Sequence, residues 1–293
     1  MSSMSPPVRV GMLCSRIRVE EKLLLAAFEQ RNIAVTRIDD DAIVLDLQRV
    51  ALDVDVVLSR TLQHTRSVSI LGVLADFNIP TVNHVDVVSC CGDKVRTTAA
   101  LAAAGVPIPR ALVAFTPEAA LSAVEELGYP AVIKPAIGSW GRLIARVSDR
   151  DAAEAVLEDR ATLGSAAQHV YYVQEHVAKP GRDIRSFVAG DDVICAIYRT
   201  SDHWITNTAR GGVTSNCLVT DEIADLSRRA ARAVGGGIVA VDLMESADAI
   251  LVNEVNATME FRNSIAVTGV DIPGRIVDYT LSAAAGIAEA VPA

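Results

Sequence analysis

The chain has 293 residues, 51% of them apolar and only 4% aromatic, with a formal net charge of −9. That length holds two or three domains, with cores built mainly from Ala, Val, Leu and Ile. The acidic balance excludes a generic nucleic-acid binder, and no stretch approaches the roughly 20 apolar residues that span a bilayer.

The start, MSSMSPPVRV, reads as a short disordered lead without signal-peptide anatomy. The next elements alternate. VRVGML (8–13), IAVTRI (33–38) and VDVVLSR (54–60) are apolar strand patterns. Between and after them, residues 20–31 and 67–77 carry helical spacing, before TVN at 81–83. Strands separated by helices predict a parallel sheet in a Rossmann-like α/β unit. The turn after the first strand is CSRIR, not GxGxxG, so a dinucleotide site is not expected there.

Around Cys91 the pattern changes. Residues 92–110 predict a helix that stops at Gly105 before two prolines, and a second helix covers 117–127. AVIKP and LIARV (143–147) pair across the loop AIGSWGR. YYVQEHV, RSFVAG and VICAIYR supply more strands. A helix over 220–234 leads into a hairpin of IVAVDLMES and AILVNEVN, and helices follow Met259 and Ile272. The five cysteines (Cys14, Cys90, Cys91, Cys195, Cys217) are odd in number, without CxxC or zinc spacing. They are expected to be reduced and buried, in a cytoplasmic protein.

Chemistry concentrates in a few stretches. Glu254 and Asn256 are two apart on a strand and share a face. With a turn centred near Ala247, Asp242 opposes Val252 and joins them. Solvent-facing polar residues would satisfy the alternation of Glu254 and Asn256, but not Asp242 inside IVAVDLM, where an unpaired carboxylate is costly. Oxygen ligands on one face suit magnesium. Lys134, ending the apolar VIKP, either snorkels or meets an anion. The glycine loop behind it lets backbone amides approach phosphate oxygens, although no P-loop GxxxxGK is present. Lys94 is a second candidate phosphate cation, or simply a solvated helix lysine. Gln174 to Val177 end a strand that either reads an adenine edge and ribose or is an edge strand with polar ends. Arg210, before two glycines, and Arg199 suit a grip on carboxylate or phosphate, or are surface charges. No Ser or Cys nucleophile is paired with a His. Cations, amides and metal ligands are the inventory of phosphoryl transfer.

In this order, CCGDK, KPAIGSWGRL, KPGRDIR, HWITNTARGG, VGGGIVAVDL, NEVNATMEF and TGVDIPG resemble the ATP-grasp superfamily over most of residues 90–275, and within it the LysX group. That group ligates α-aminoadipate to the amino-group carrier LysW, with glutamate-using relatives in arginine synthesis. The glutamate ligases that modify a ribosomal protein's C-terminus are similar too, but HWITNTARGG and NATMEF favour the LysX group. Another protein acceptor, or a carrier in secondary metabolism, is the alternative.

The resemblance implies an ATP-grasp fold: a Rossmann-like pre-ATP-grasp domain (1–90), a small lid domain (91–175) and a C-terminal domain (176–293) carrying the metal. It implies ATP and Mg2+. Lys94 and Lys134 would contact phosphates under the loop Gly138, Ser139, Trp140, Gly141, Arg142, Leu143 and Ile144. Gln174, Glu175, His176 and Val177 would meet adenine and ribose, with Asp183, Arg185 and Asn207 nearby. Arg210, with Lys134, would be catalytic, at the reacting carboxyl. Asp242, Glu254 and Asn256 would hold magnesium. Arg199 and Asn256, Ala257, Thr258, Met259 and Glu260 would face the amino acid, aminoadipate or glutamate. The implied partner is a small acidic carrier, docked on a basic groove to which Arg16, Arg18, Arg60 and Arg66 are expected to contribute, and the implied assembly is a dimer or tetramer.

Overall fold

The computed structural model describes residues 8–138, 140–206 and 211–286. Ser139, Asn207 and Arg210, all named above, lie outside the described residues. The first sheet is parallel and ordered β2-β1-β3-β4, from β1 (Val10–Leu13), β2 (Val35–Ile38), β3 (Val56–Ser59) and β4 (Thr81–Val82). The runs VGML and VVLS are buried at every position, as strands covered on both faces must be. A Cβ on Gly11 would meet Ile38 Cδ1 at 2.7 Å, so the first strand has no room for a side chain there. Helices α1 (Val19–Gln30), α2 (His64–Asp76) and α3 (Val85–Cys91) connect and follow these strands.

Helix α4 (Lys94–Ala103) is capped by Asp93, whose side chain accepts from the amides of Val95 and Arg96. Beyond it lies an antiparallel sheet ordered β5-β8-β6-β7. Its strands are β5 (Ala111–Ala114), β6 (Ala131–Pro135), β7 (Ala145–Val147) and β8 (Tyr171–Glu175), with α5 (Pro117–Leu127) and α6 (Arg150–Leu163) packed together on it. Six of the fourteen residues of α6, RDAAEAVLEDRATL, are charged, which masks its inward Ala153 and Leu157 in the sequence.

The third sheet is antiparallel, ordered β11-β10-β9-β12-β13. Its strands are β9 (Arg182–Ala189), β10 (Asp192–Thr200), β11 (Val213–Cys217), β12 (Ile238–Glu245) and β13 (Ile250–Asn256). One face packs α7 (Asp221–Ala233), which buries Ile223, Leu226, Ala230 and Ala231. The other face shares a core with the first sheet: Phe187, Cys195 and Ile197 meet Met12, Leu24 and Phe28, and α9 (Ile272–Ala284) adds Ile276 and Val277. Helix α8 (Arg262–Thr268) lies before α9. All five cysteines are free. No helix of the described residues is long and apolar enough to cross a membrane.

Asn83 joins the first and third sheets. Its amide donates to the carbonyls of Ile238 and Ala257, both at 2.7 Å, and its oxygen accepts from the Ile238 amide at 2.6 Å. Gly237 makes the approach possible, since a Cβ there would lie 2.2 Å from Asn83 Oδ1. Asn83→Ala removes three hydrogen bonds, two of them buried, and leaves backbone groups unpaired. The expected destabilisation is about 3 kcal/mol, read from the midpoint of denaturant unfolding.

Candidate active site

The third sheet presents a charged row at one end of the face whose other end is core. Strand alternation and register place Asp183, Arg185, Arg199, Asp242, Glu254 and Asn256 on that face. The register differs from the expected one. Asp242 opposes Glu254, not Val252, because the ladder shifts between Asp242 and Leu243. The shift leaves Asn253 as the extra residue of a bulge, which re-aims its side chain: Asn253 Oδ1 accepts from Lys134 Nζ at 3.2 Å.

Asp242 is buried, and Arg185 clamps it with two bonds of 2.7 Å, with Arg199 3.2 Å away. Burial alone would raise the Asp242 pKa, but the two guanidinium groups outweigh it and hold the carboxyl well below the usual range. Arg199 is also buried, and it donates to Asp183 at 2.6 Å. Burial works against its charge, yet Asp242 and Asp183 raise its pKa further, so it stays a cation. Asn256 Nδ2 lies 3.5 Å from both Asp242 Oδ2 and Glu254 Oε1. Half a turn of that amide puts its oxygen beside the two carboxylates. Two carboxylates and an amide oxygen are a donor set that suits a magnesium ion with phosphate and water completing its shell.

The opposite wall is cationic. Lys134 is buried, and its ammonium donates to Gln174 Oε1 at 2.6 Å besides Asn253. Burial lowers its pKa from 10.5 to about 8; Glu254 partly offsets this, while Lys94 and Lys179 add to it. Lys94 is half-buried and donates to the Gly138 carbonyl at 2.7 Å, tying the start of α4 to the glycine loop. That loop turns through left-handed backbone at Trp140 (φ 58°), Gly141 (φ 66°) and Leu143 (φ 55°), which is costly for the two side-chain-bearing residues. Arg142 stacks over the Trp140 ring, 5.0 Å from its centroid.

Between these walls lies a cleft of about 450 Å3. Lys94, Lys134, Gly138, Trp140, Gly141, Arg142 and Ile144 line it, as do Gln174 to Val177. Asp183, Arg199, Asp242, Glu254 and Asn256 form its floor. Glu175 has one oxygen committed to the amide of Arg110 at 2.8 Å. His176 and Trp204 stand ring to ring at 6.1 Å. Burial and then Arg146 lower the His176 pKa, so it is neutral at neutral pH.

Some expected residues stand elsewhere. Leu143 does not line the cleft and is 63% exposed. Arg185 does not line the cleft and faces two neighbouring cavities instead. Of the stretch 256–260, Asn256, Ala257, Thr258 and Glu260 line the third cavity, whereas the Met259 side chain is core. The basic groove expected of Arg16, Arg18, Arg60 and Arg66 is not formed by all four. Arg60 is buried, donating to Glu21 at 2.9 Å and to the Met259 carbonyl at 3.1 Å. Arg18 is paired with Glu21 and Glu260, and Arg66 with Asp41. Among the cleft residues not singled out from the sequence are Lys179 and Asn253. Lys179 is half-buried, donates to Thr206 Oγ1 at 2.7 Å and lies 3.6 Å from Asp183; a lysine opening KPGRD was the available signal. Asn253 carried none, because its role comes from the bulge.

A model described as the RimK-like ATP-grasp domain matches residues 91–280 and one described as the LysX preATP-grasp domain matches 10–90, so the chain belongs to the ATP-grasp ligases and, within them, to the RimK-like family. Enzymes of this family use ATP. The chain is 32% identical over 275 residues to a glutamate–LysW ligase, ArgX, of Sulfurisphaera tokodaii, covering 93% of this chain and 98% of that one. It is 34% identical over 229 residues to an α-aminoadipate–LysW ligase, LysX, of Sulfolobus acidocaldarius, covering 78% and 83%. A crystal structure of a RimK domain ATP-grasp protein from Sphaerobacter thermophilus superposes with a TM-score of 0.79 at 29% identity, covering 93% of this chain and 99% of that one.

Proposed function

We propose that the protein is an ATP-dependent ligase joining the α-amine of α-aminoadipate or glutamate to the side-chain carboxyl of the C-terminal glutamate on a small acidic carrier of the LysW kind, in lysine or arginine biosynthesis. The observation that carries this reading is the end-to-end similarity to a LysW ligase, with 93% of this chain and 98% of the relative covered. The paired cationic and carboxylate walls of the cleft support it.

In this reading the carboxylate attacks the γ-phosphorus of ATP, ADP leaves, and an acyl phosphate forms. The amine then attacks the acyl carbon, the C–N bond forms, and phosphate departs. Lys94 and Lys134 neutralise phosphate charge, and Arg210 steadies the reacting carboxyl. Asp242, Glu254 and Asn256 hold magnesium, which supplies charge neutralisation on the phosphates when bound. Gln174 to Val177 receive the adenosine, and Asn207 is assigned a nucleotide-binding role in this reading. The loop 138–144 covers the phosphates and keeps water from the acyl phosphate. Residues 1–90, 91–175 and 176–293 are the three domains of this reading, and each sheet falls within one of them. Five free cysteines support a cytoplasmic setting.

The test is ADP release with each substrate omitted in turn. Release should require the carrier, and hydroxylamine in place of the amino acid should yield a hydroxamate on it. ADP release driven by the amino acid alone would contradict the proposed order.

A further inference from the structure

We propose that Arg160, a buried arginine on α6 that does not line the cleft, is a positioning residue: its guanidinium closes the base of the glycine loop and so fixes where Lys134 and the loop side chains stand over the phosphates. The inference rests on the ligase reading in taking that loop and Lys134 as the phosphate-facing groups.

Ala153, Leu157 and Arg160 form one buried stripe of α6 at helical spacing. The first two are apolar and pack into the core of the second sheet. An apolar residue at 160 would complete that stripe, yet the position holds a charge whose guanidinium makes no ion pair among the described residues. Burial lowers its pKa, and Tyr171 and Asp159 offset this only in part. A buried cation without an ion pair is costly, and what it holds is therefore informative.

Arg160 holds the two stems of the loop. Its Nη2 donates to the Leu143 carbonyl at 2.6 Å and to the Ile133 carbonyl at 3.2 Å. The β6–β7 ladder ends at the pair Ile133 and Ala145, and the next residue of β6, Lys134, pairs with Tyr172 of β8 instead. The guanidinium thus ties the stems together just where the ladder between them stops. Lys94 holds the first stem at the Gly138 carbonyl, and Arg160 holds the second at Leu143. Leu143 lies in left-handed backbone (φ 55°), with its side chain turned to solvent and its carbonyl on the buried arginine. Its neighbours Arg142 and Ile144 line the cleft, as does Lys134, the neighbour of Ile133. One buried side chain outside the cleft therefore sets groups on both sides of the loop.

The experiment is calorimetric titration of the full-length wild type, Arg160→Met and Arg160→Lys with two probes: adenosine, and a non-hydrolysable ATP analogue with magnesium. Methionine keeps the buried stripe filled and removes the clamp. It should weaken the analogue about 10-fold, the contribution of one hydrogen bond from a charged group, and leave adenosine unchanged. Lysine keeps the charge and can reach one carbonyl, so it should recover part of the loss. Equal affinity for the analogue in Arg160→Met and wild type would overturn the assignment. So would equal losses for adenosine and the analogue, the mark of a general loosening of the domain. Unfolding midpoints show whether each variant folds; if the methionine variant does not, the lysine variant should still weaken the analogue and spare adenosine, and a lysine variant equal to wild type for the analogue would overturn the clamp. Carrier modification by the wild type is read separately: its absence would overturn the ligase reading and leave the Arg160 comparison standing.

Discussion

Glu254→Gln is expected to lower kcat about 10^3-fold, roughly 4 kcal/mol of transition-state stabilisation, with the fold intact. The charge alone is removed, since the amide keeps the shape of the carboxylate. Glu254 faces Asp242 across the hairpin and Asn256 along it, so it is one of two carboxylates in the candidate magnesium set. Asp242 keeps its two arginine partners in the variant, and Lys134 keeps its hydrogen bonds to Gln174 and Asn253 while losing the offset of the Glu254 charge. Thermal unfolding should therefore move little. Nucleotide affinity measured with EDTA should match wild type, and the gain in affinity on adding magnesium should be largely lost. A variant with wild-type kcat would remove Glu254 from the metal set.

Lys134→Met is expected to move activity and stability in opposite directions. Losing the buried cation should cut kcat/KM for ATP by about 10^2- to 10^4-fold, because charge on the moving phosphoryl group loses a fixed counter-charge. Stability should hold or rise. A lysine whose pKa falls from 10.5 to about 8 on folding is held charged at a cost of about 3 kcal/mol. The sign follows from proton binding. Between pH 8 and 10.5 the unfolded chain binds more protons at this site than the folded one, so wild-type stability rises with pH across that window. The penalty is fully present below pH 8, and the methionine variant should lack this rise. The same ionisation predicts the nucleotide behaviour. Below pH 8 Lys134 already carries its proton, whereas above it phosphate binding must take one up, so nucleotide affinity should fall by up to about tenfold per pH unit. A pH-independent affinity between 7 and 9.5 would show that Lys134 is not the phosphate cation.

What the sequence revealed and what it hid have distinct physical causes. Period-two alternation made the shared face of Glu254 and Asn256 readable, and a lysine ending the buried strand VIKP stood out by its cost. The alternating first 90 residues gave the parallel sheet, because strands buried on both faces leave unbroken apolar runs. Hidden features depend on distant partners. The shift that sets Asp242 against Glu254 is a property of two strands together, not of either one. Arg18 and Arg60 look like docking arginines until the distant Glu260 joins the neighbouring Glu21 on Arg18, and the distant Glu21 and Met259 carbonyl hold Arg60. Burial lowers the pKa of Lys179 and turns an apparent turn lysine into part of the cleft.

The central claim, transfer of an acidic amino acid onto a protein carboxyl at the expense of ATP, is tested most directly by the intact mass of the carrier. A purified LysW-type carrier would be incubated with the protein, ATP, magnesium and an equal mixture of aminoadipate and glutamate. The account predicts a carrier heavier by one aminoadipate or one glutamate residue, attached at its C-terminal glutamate. A carrier of unchanged mass while ATP is consumed would contradict it.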